Sequence, residues 1–517
     1  MSDKFLKGAA ILTIAGLMVK VIGSVNRVLL SRLLGGEGIG LYQMAYPIYL
    51  LLLAVSAAGI PIAISIMVAE LLAKNDYGNV RRVFKVSFRL MSCVGLVLAV
   101  MLFLAAGWLV DTGIIRDGRA YYALVALIPA VFFATILASF RGFFQGHQLM
   151  TPPAISQIIE QFVRVVTMVV LAYCLLPYGL EYAAAGAAFG AVPGSLTGLV
   201  VLGYFYRKYH KLWQEPENSC SLPPESTMSL VKRLLGLALP VSLANVLVPV
   251  SSSIDMLVVP NRLVANGFAV EQATTMFGYL AGMAQPLLMM ATIPTLSLAA
   301  SLVPAVSEAY TLGDTESIKN KACMVMKLCC LITVPAAVGM SAFAEQISTL
   351  LYGTAKATTA ILHSGPSIWL LGLQQVTTGI LQGMDKTNVP MINMFIGIVV
   401  KLGAVWCLTN AAYNIAGAAW ATNINFAIIA LLNIMVLKRC GIEFKWLEVW
   451  KIIAAAALMA AFGLAIYGPL CVFLPKVLAN IMVMLLAAVF YIILVPCMKI
   501  VTRDELKQMP LVKKFVK

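Results

Sequence analysis

The sequence predicts an all-α protein threaded many times through a membrane, and three observations predict it. Hydrophobic residues make up 61% of the 517 positions and charged residues only 11%, against about 25% charged in ordinary soluble domains. Apolar runs long enough to cross a bilayer recur from one end of the chain to the other, which leaves no room for a soluble domain. Between them, Lys and Arg alternate in abundance from loop to loop, as they do when alternate loops lie on the cytoplasmic side.

A hydrocarbon core of about 30 Å needs about 20 apolar residues per helix. That measure marks out fourteen spans, near 8–34, 40–73, 84–110, 120–144, 153–177, 183–206, 229–259, 273–309, 318–343, 364–384, 388–410, 414–437, 449–470 and 477–499. If the N-terminus is inside, the outer loops hold only Arg116, Arg119, Arg262, Lys356 and Lys476. The inner segments hold far more basic residues, among them Arg81, Arg82, Arg207, Lys208, Arg233, Lys438 and Lys513. This bias predicts an even number of spans, with both termini cytoplasmic and the first span retained rather than cleaved as a signal peptide.

The chain also repeats itself. Gly142, Gln145, Gly146 and Pro153 fall on Gly379, Gln382, Gly383 and Pro390 at a constant offset of 237, and the same offset sets Arg164 on Lys401. At 238, Val68-Ala69-Glu70 meets Val306-Ser307-Glu308. Six spans separate the copies, so both enter the membrane from the same side, as parallel repeats. The expected organisation is two pseudo-symmetric six-helix lobes, residues 1–220 and 221–440, followed by two extra helices and a cytoplasmic tail over 441–517.

Ionisable groups at membrane depth cost several kcal/mol and need a partner or a wet cavity. The first span carries Lys20 and Arg27, seven residues apart on one helical face, with Asn26 beside them. Gln157, Glu160, Gln161 and Arg164 form a polar stripe on the fifth span, with Glu160 and Arg164 spaced to pair. Asp255 follows three serines in the seventh span, Gln285 lies in the eighth and Lys401 in the eleventh. Lys20, Arg27 and Lys401 lack a local carboxylate, which favours a cavity role; Glu160 and Asp255 are the candidate titrating groups. Tyr42, Tyr46 and Tyr49 share one face of the second span and read equally as cavity wall or interfacial belt. Arg32, Arg141, Glu70 and Glu308 sit near the membrane faces, where snorkelling or helix-end contacts suffice.

The formal charge of +15 is spread between apolar runs, which suits anionic headgroups rather than nucleic acid. No phosphate-binding loop, zinc motif or catalytic motif stands in the chain, so neither an enzyme nor a cofactor or metal is expected.

The stretches Lys7–Arg27, Gly38–Met44 and Gly59–Ser65, with Gln-Gly at Gln145 and Gln382, resemble the polysaccharide transporter family of the multidrug/oligosaccharidyl-lipid/polysaccharide exporter superfamily, in its stage V sporulation branch. The resemblance extends over essentially the whole chain and reaches the lipid II flippases. It implies two six-helix lobes around a central cavity plus two extra helices. It also implies export of an undecaprenyl-pyrophosphate-linked saccharide, of the lipid II kind, for wall, spore-cortex or polysaccharide synthesis. The partners implied are membrane lipids and proteins of cell-wall synthesis. In the related flippases two arginines of the first span face the pyrophosphate. Gly23 aligns with the glycine of that motif, which sets Lys20 at the first arginine and Asn26 at the second, with Arg27 adjacent. A lysine keeps the charge but loses bidentate phosphate geometry. The alternatives are a cation-coupled multidrug exporter of the same superfamily and a non-transporting scaffold of a wall-synthesis complex.

Overall fold

A computed structural model describes residues 3–209, 225–443 and 446–500. Among them the regular structure is helical throughout, and the chain packs as two compact units divided between Gly282 and Met283.

The first unit begins with α1 (Asp3–Ala57), two helical arms that meet at Gly35, whose φ of 65° breaks the ladder. Fifteen residues of straight helix rise about 22 Å, yet the Arg27 guanidinium lies 5.4 Å from the Tyr42 ring. The second arm therefore folds back along the first. Then come α2 (Ile60–Ala73), α3 (Tyr77–Asp111), α4 (Ala120–Gly146), α5 (Thr151–Leu175), α6 (Leu180–Phe189) and α7 (Ala191–Lys208). Helix α8 (Thr227–Ala265) packs on α1, α2 and α3, and α9 (Val270–Phe277) packs on α1 before a wider π-type turn over Gly278–Ala284. Ile64, Val68, Met91, Phe143 and Leu202 lie at the heart of this unit.

The second unit runs through α10 (Gln285–Ala291), α11 (Ile293–Thr311), α12 (Thr315–Ala342), α13 (Ala344–Tyr352), α14 (Thr358–Ser364), α15 (Pro366–Gly383), α16 (Asn388–Leu408) and α17 (Asn414–Arg439). It ends with the paired helices α18 (Trp446–Phe473) and α19 (Lys476–Cys497), which pack on each other and on α12 and α13.

The duplication reappears as geometry inside each unit. Gln148 and Asp385, 237 positions apart, are non-glycine residues with φ of 58° and 59°. Each stands in a turn closed the same way: Leu149 N donates to Phe144 O at 3.0 Å, and Lys386 N to Leu381 O at 2.9 Å. The glycines before the turns repeat as well. A Cβ on Gly146 would meet Val68 at 2.6 Å, and one on Gly383 would meet Val306 at 2.8 Å. Asp76 and Asp314 cap α3 and α12 through Asn79 N at 3.0 Å and Ser317 N at 2.9 Å. That correspondence escaped the sequence reading.

The expected count of fourteen does not emerge from helix length and apolarity. Those criteria give eleven crossing helices among the described residues, or twelve if the bent pair Val270–Ala291 and Ile293–Thr311 forms one span. Two reasons are visible. The first two expected spans lie in one apolar stretch, Ile11–Ala73. The expected span at 364–384 is α15, 18 residues long and rich in Gln and Thr.

Candidate anion-recognition site

The site of the first unit is assembled where α1, α4, α5 and α7 meet. Glycines let α5 come close to its neighbours. A Cβ on Gly194 of α7 would lie 2.9 Å from Arg164 Cβ, and one on Gly23 of α1 would lie 3.2 Å from Gln161 Nε2. The polar stripe of α5 is thereby set against helices rather than lipid, as its composition requires.

Glu160 and Arg164 pair as their spacing predicts, with Arg164 Nη2 donating to Glu160 Oε1 at 2.8 Å. A second guanidinium shares the carboxylate: Arg141 Nη2 of α4 donates to Oε2 at 2.5 Å. Arg141 is thus held by an ion pair between helices, its side chain 23% exposed and engaged in the packing of α4 on α5. One carboxylate between two guanidiniums leaves a positive charge over. Arg141 Nε and Arg164 Nε are both buried donors with no acceptor among the described residues, and such donors are costly unless a ligand or water meets them.

Arg164 lies within electrostatic reach of Tyr42, Tyr46 and Tyr49. Tyr42 and Tyr46 stack at 5.2 Å, and Tyr49 follows at 5.8 Å from Tyr46. Arg27 from the other arm of α1 lies over the rings of Tyr42 and Tyr46, 5.4 and 5.0 Å from their centroids. Buried Tyr42 and Tyr49 are thus part of the interior of this unit, and the interfacial-belt reading falls away. The result is three guanidiniums, one carboxylate and a ladder of tyrosine rings in one neighbourhood. Planar guanidiniums on aromatic faces keep their charge while shedding water.

The other expected residues divide. Lys20 is exposed on α1, two turns before Arg27. Asn26 is 3% exposed and turned into the packing, where Nδ2 lies 3.3 Å from Met168 Sδ of α5. Asp255 is buried in α8 of the same unit. Gln285 and Lys401 belong to the second unit, Gln285 half-buried at the start of α10 and Lys401 2% exposed in α16.

The second copy of the duplication does not reproduce the cluster. At the offset of 237, Arg141, Glu160 and Arg164 correspond to Thr378, Gly397 and Lys401. A Cβ on Gly397 would meet the Ile429 side chain at 2.4 Å, so a larger residue there would have to displace it. The basic position persists as Lys401, and Gly397 stands where the first copy has its carboxylate. The cluster is a specialisation of the first copy.

The family model described as polysaccharide biosynthesis protein matches residues 5–310. The chain belongs to this family. A second model, MatE, matches residues 240–407, which sets the family member within the wider exporter superfamily. Stage V sporulation protein B of Bacillus subtilis (strain 168) is 31% identical, with 99% of each chain covered. Lipid II flippase MurJ of the same organism is 28% identical over 90% of this chain and 88% of its own. Among solved structures, lipid II flippase MurJ in an inward closed conformation superposes with a TM-score of 0.72 at 15% identity, covering 93% of this chain and 97% of that one. An inward-facing multidrug resistance MATE family transporter of the MOP superfamily gives 0.68 at 16% identity, covering 82% and 94%. At such identities the superpositions speak for the fold. They establish the family member as an all-α polytopic membrane protein of MATE-like architecture.

Proposed function

We propose that the protein exports a lipid-linked saccharide, carried on a polyprenyl pyrophosphate of the lipid II kind, across the cytoplasmic membrane without chemical conversion. The observation that carries the proposal is the Arg141–Glu160–Arg164 bridge with Arg27 and the tyrosine ladder beside it. A pyrophosphate offers oxygens spaced for guanidinium forks, and charge-assisted bonds to it are the strong ones. Free Nε donors on two of the three arginines match such a ligand. Lys20, exposed on the same helix as Arg27, extends the positive surface toward the end of α1 from which the headgroup would arrive. The full-length kinship to a sporulation protein and to a lipid II flippase supports the same substrate class.

In this reading both termini are cytoplasmic, the duplicated halves 1–220 and 221–440 act as two lobes, and access to the site alternates between the membrane faces. Asp255, Gln285 and Lys401 are assigned to the transport path as supporting groups. Wall-synthesis proteins and membrane lipids are the partners. The test is complementation of a strain depleted of its lipid II flippase, read by the lipid-linked precursor retained inside the cells. The unaltered chain should restore export, while Arg27→Gln and Arg164→Gln, expressed at equal level, should not. Full export by both variants, or drug resistance without precursor export, would defeat the proposal.

A further inference from the structure

The connection between α16 and α17 in the second unit is built more tightly than a loop requires. A Cβ on Gly417 would lie 1.9 Å from Leu408 O, so the end of α16 rests directly on the first turn of α17. Asn414 opens α17 at φ 40°, in the left-handed region, and its Oδ1 accepts from Ile415 N at 2.6 Å. Asn410 Oδ1 accepts from Ala412 N and Tyr413 N, each at 3.0 Å. From α17, buried Asn423 braces the junction of α14 and α15: its Nδ2 donates to His363 O at 2.9 Å, and its Oδ1 accepts from the Ser367 hydroxyl. Strained backbone in a non-glycine residue persists only where the surroundings hold it, and it clusters at binding sites.

These supports frame an open cavity of about 520 Å³, walled by Thr359, His363, Tyr413, Asn414 and Trp420 over an apolar floor. His363 Nδ1 accepts the Trp420 indole N–H at 3.2 Å, which leaves Nε2 as the ring's donor toward the cavity. The lining residues then carry neither a cation for a phosphate nor a carboxylate for an amine. They offer two aromatic rings, 59% exposed at Tyr413 and 44% at Trp420, with an amide, a hydroxyl and a ring N–H around them. Apolar pockets with a few convergent polar groups are the usual form of a small-molecule site.

We infer that this cavity binds an uncharged sugar ring. One C–H face of the ring lies on Trp420 or Tyr413, and its hydroxyls or N-acetyl group meet Asn414, Thr359 and His363 Nε2–H. The sugar as ligand class rests partly on the saccharide reading above; the cavity and its uncharged lining do not. Two aromatic residues serving only as membrane anchors would need amphipathic rings at the interface. They would need neither the Asn423 brace nor the strained Asn414.

The experiment is calorimetric titration of the purified full-length chain in detergent with N-acetylglucosamine and, separately, with short-chain phosphatidylglycerol. The sugar should bind saturably with a dissociation constant on the order of 1 mM, weakened about tenfold in Tyr413→Ala and in Asn414→Gly. Tyr413 is exposed, and glycine accepts φ 40° without strain, so both variants should fold. No sugar binding by the unaltered chain, an unchanged constant in both variants, or binding of the lipid alone would overturn the inference. Precursor export in the same variants separates the two readings. Sugar binding without export by the unaltered chain defeats the transport proposal only, and export without sugar binding defeats the cavity only.

Discussion

Arg141 of α4 and Glu160 of α5 meet at 2.5 Å, and the same carboxylate takes Arg164 at 2.8 Å one turn further along α5. The two side chains are 23% and 12% exposed, so this pair is neither a solvent-screened surface contact nor wholly buried. Removing the carboxylate should therefore cost more than removing either arginine, because two half-buried guanidiniums would be left facing each other. Glu160→Gln should lower the unfolding free energy by about 2 kcal/mol, less than the full cost of a dry buried pair. Arg141→Gln leaves the i,i+4 pair intact and should cost about 1 kcal/mol. Thermal unfolding in detergent, followed by helical circular dichroism, ranks the two. A larger loss in Arg141→Gln would contradict the shared-carboxylate account.

The turn residues Gln148 and Asp385 offer a second measurement. Both hold φ near 60°, which costs an L-residue roughly 1 kcal/mol, less for Asp, whose short side chain tolerates the left-handed region. Gln148→Gly should raise stability by up to about 1 kcal/mol, and Asp385→Gly should change it by only a few tenths. Equal effects, or destabilisation by Gln148→Gly, would show that the side chains rather than the backbone set the turn.

How much of this could be read beforehand depended on the range of the contact. The i,i+4 pairing of Glu160 with Arg164 and the matched Gln-Gly turns are local, and periodicity carries them. The ion pair of Arg141 carried no such local signal. Its partner comes from the next helix across a turn, which no spacing rule shows. The stacking of Arg27 on Tyr42 and Tyr46 depends on the angle at Gly35, and a glycine announces freedom, not direction. Asp76 and Asp314 share the offset of 238 that relates Glu70 to Glu308, but caps lie outside the apolar pattern that makes the repeat legible. The fourteen-span count is not reproduced by helix length and apolarity among the described residues, because those criteria take the two arms of α1 as part of one stretch, Ile11–Ala73.

The loop between α3 and α4 supplies a pH prediction. Burial pushes the Asp117 carboxyl up, but bonds from the Arg119 side chain and backbone and from the Thr274 hydroxyl outweigh it, holding the group below its usual range. A carboxylate depressed in the folded state stabilises the protein above its unfolded value of about 3.9, and that contribution is lost as pH falls through the folded value. Melting temperature should thus drop on acidification below roughly pH 4. Asp117→Asn should melt lower at neutral pH and show a shallower drop on the acid side. Thr274→Val, which removes one donor and so narrows the gap between the folded and unfolded values, should lose less stability on acidification and complete that loss at higher pH than the unaltered chain. Identical acid limbs in all three would rule out Asp117 as the titrating group.

The closest backbone approach in the first unit gives the steepest mutational contrast. A Cβ on Gly278 would lie 1.8 Å from Gly36 O, and one on Gly40 would lie 2.2 Å from Thr274 O. Neither obstacle is a side chain that could swing aside, so the π-type turn after α9 and the second arm of α1 touch backbone to backbone. Gln43 Nε2 donates to Ala281 O at 2.5 Å along the same seam, holding the two segments in register. An added methyl forces the segments apart, and overpacking of this kind costs about 1–3 kcal/mol or more when backbone must move. Gly282 differs, since its Cβ would meet the Ile39 side chain at 2.6 Å, and a side chain can change rotamer at a cost of about 1 kcal/mol. Gly403 of α16 has open space around it, and alanine there should stabilise by about 0.5–1 kcal/mol through helix propensity alone. The expected order of melting temperatures is Gly403→Ala, then the unaltered chain, then Gly282→Ala, then Gly278→Ala. Should Gly278→Ala melt with or above the unaltered chain, the α1–α9 seam cannot be as close as 1.8 Å implies.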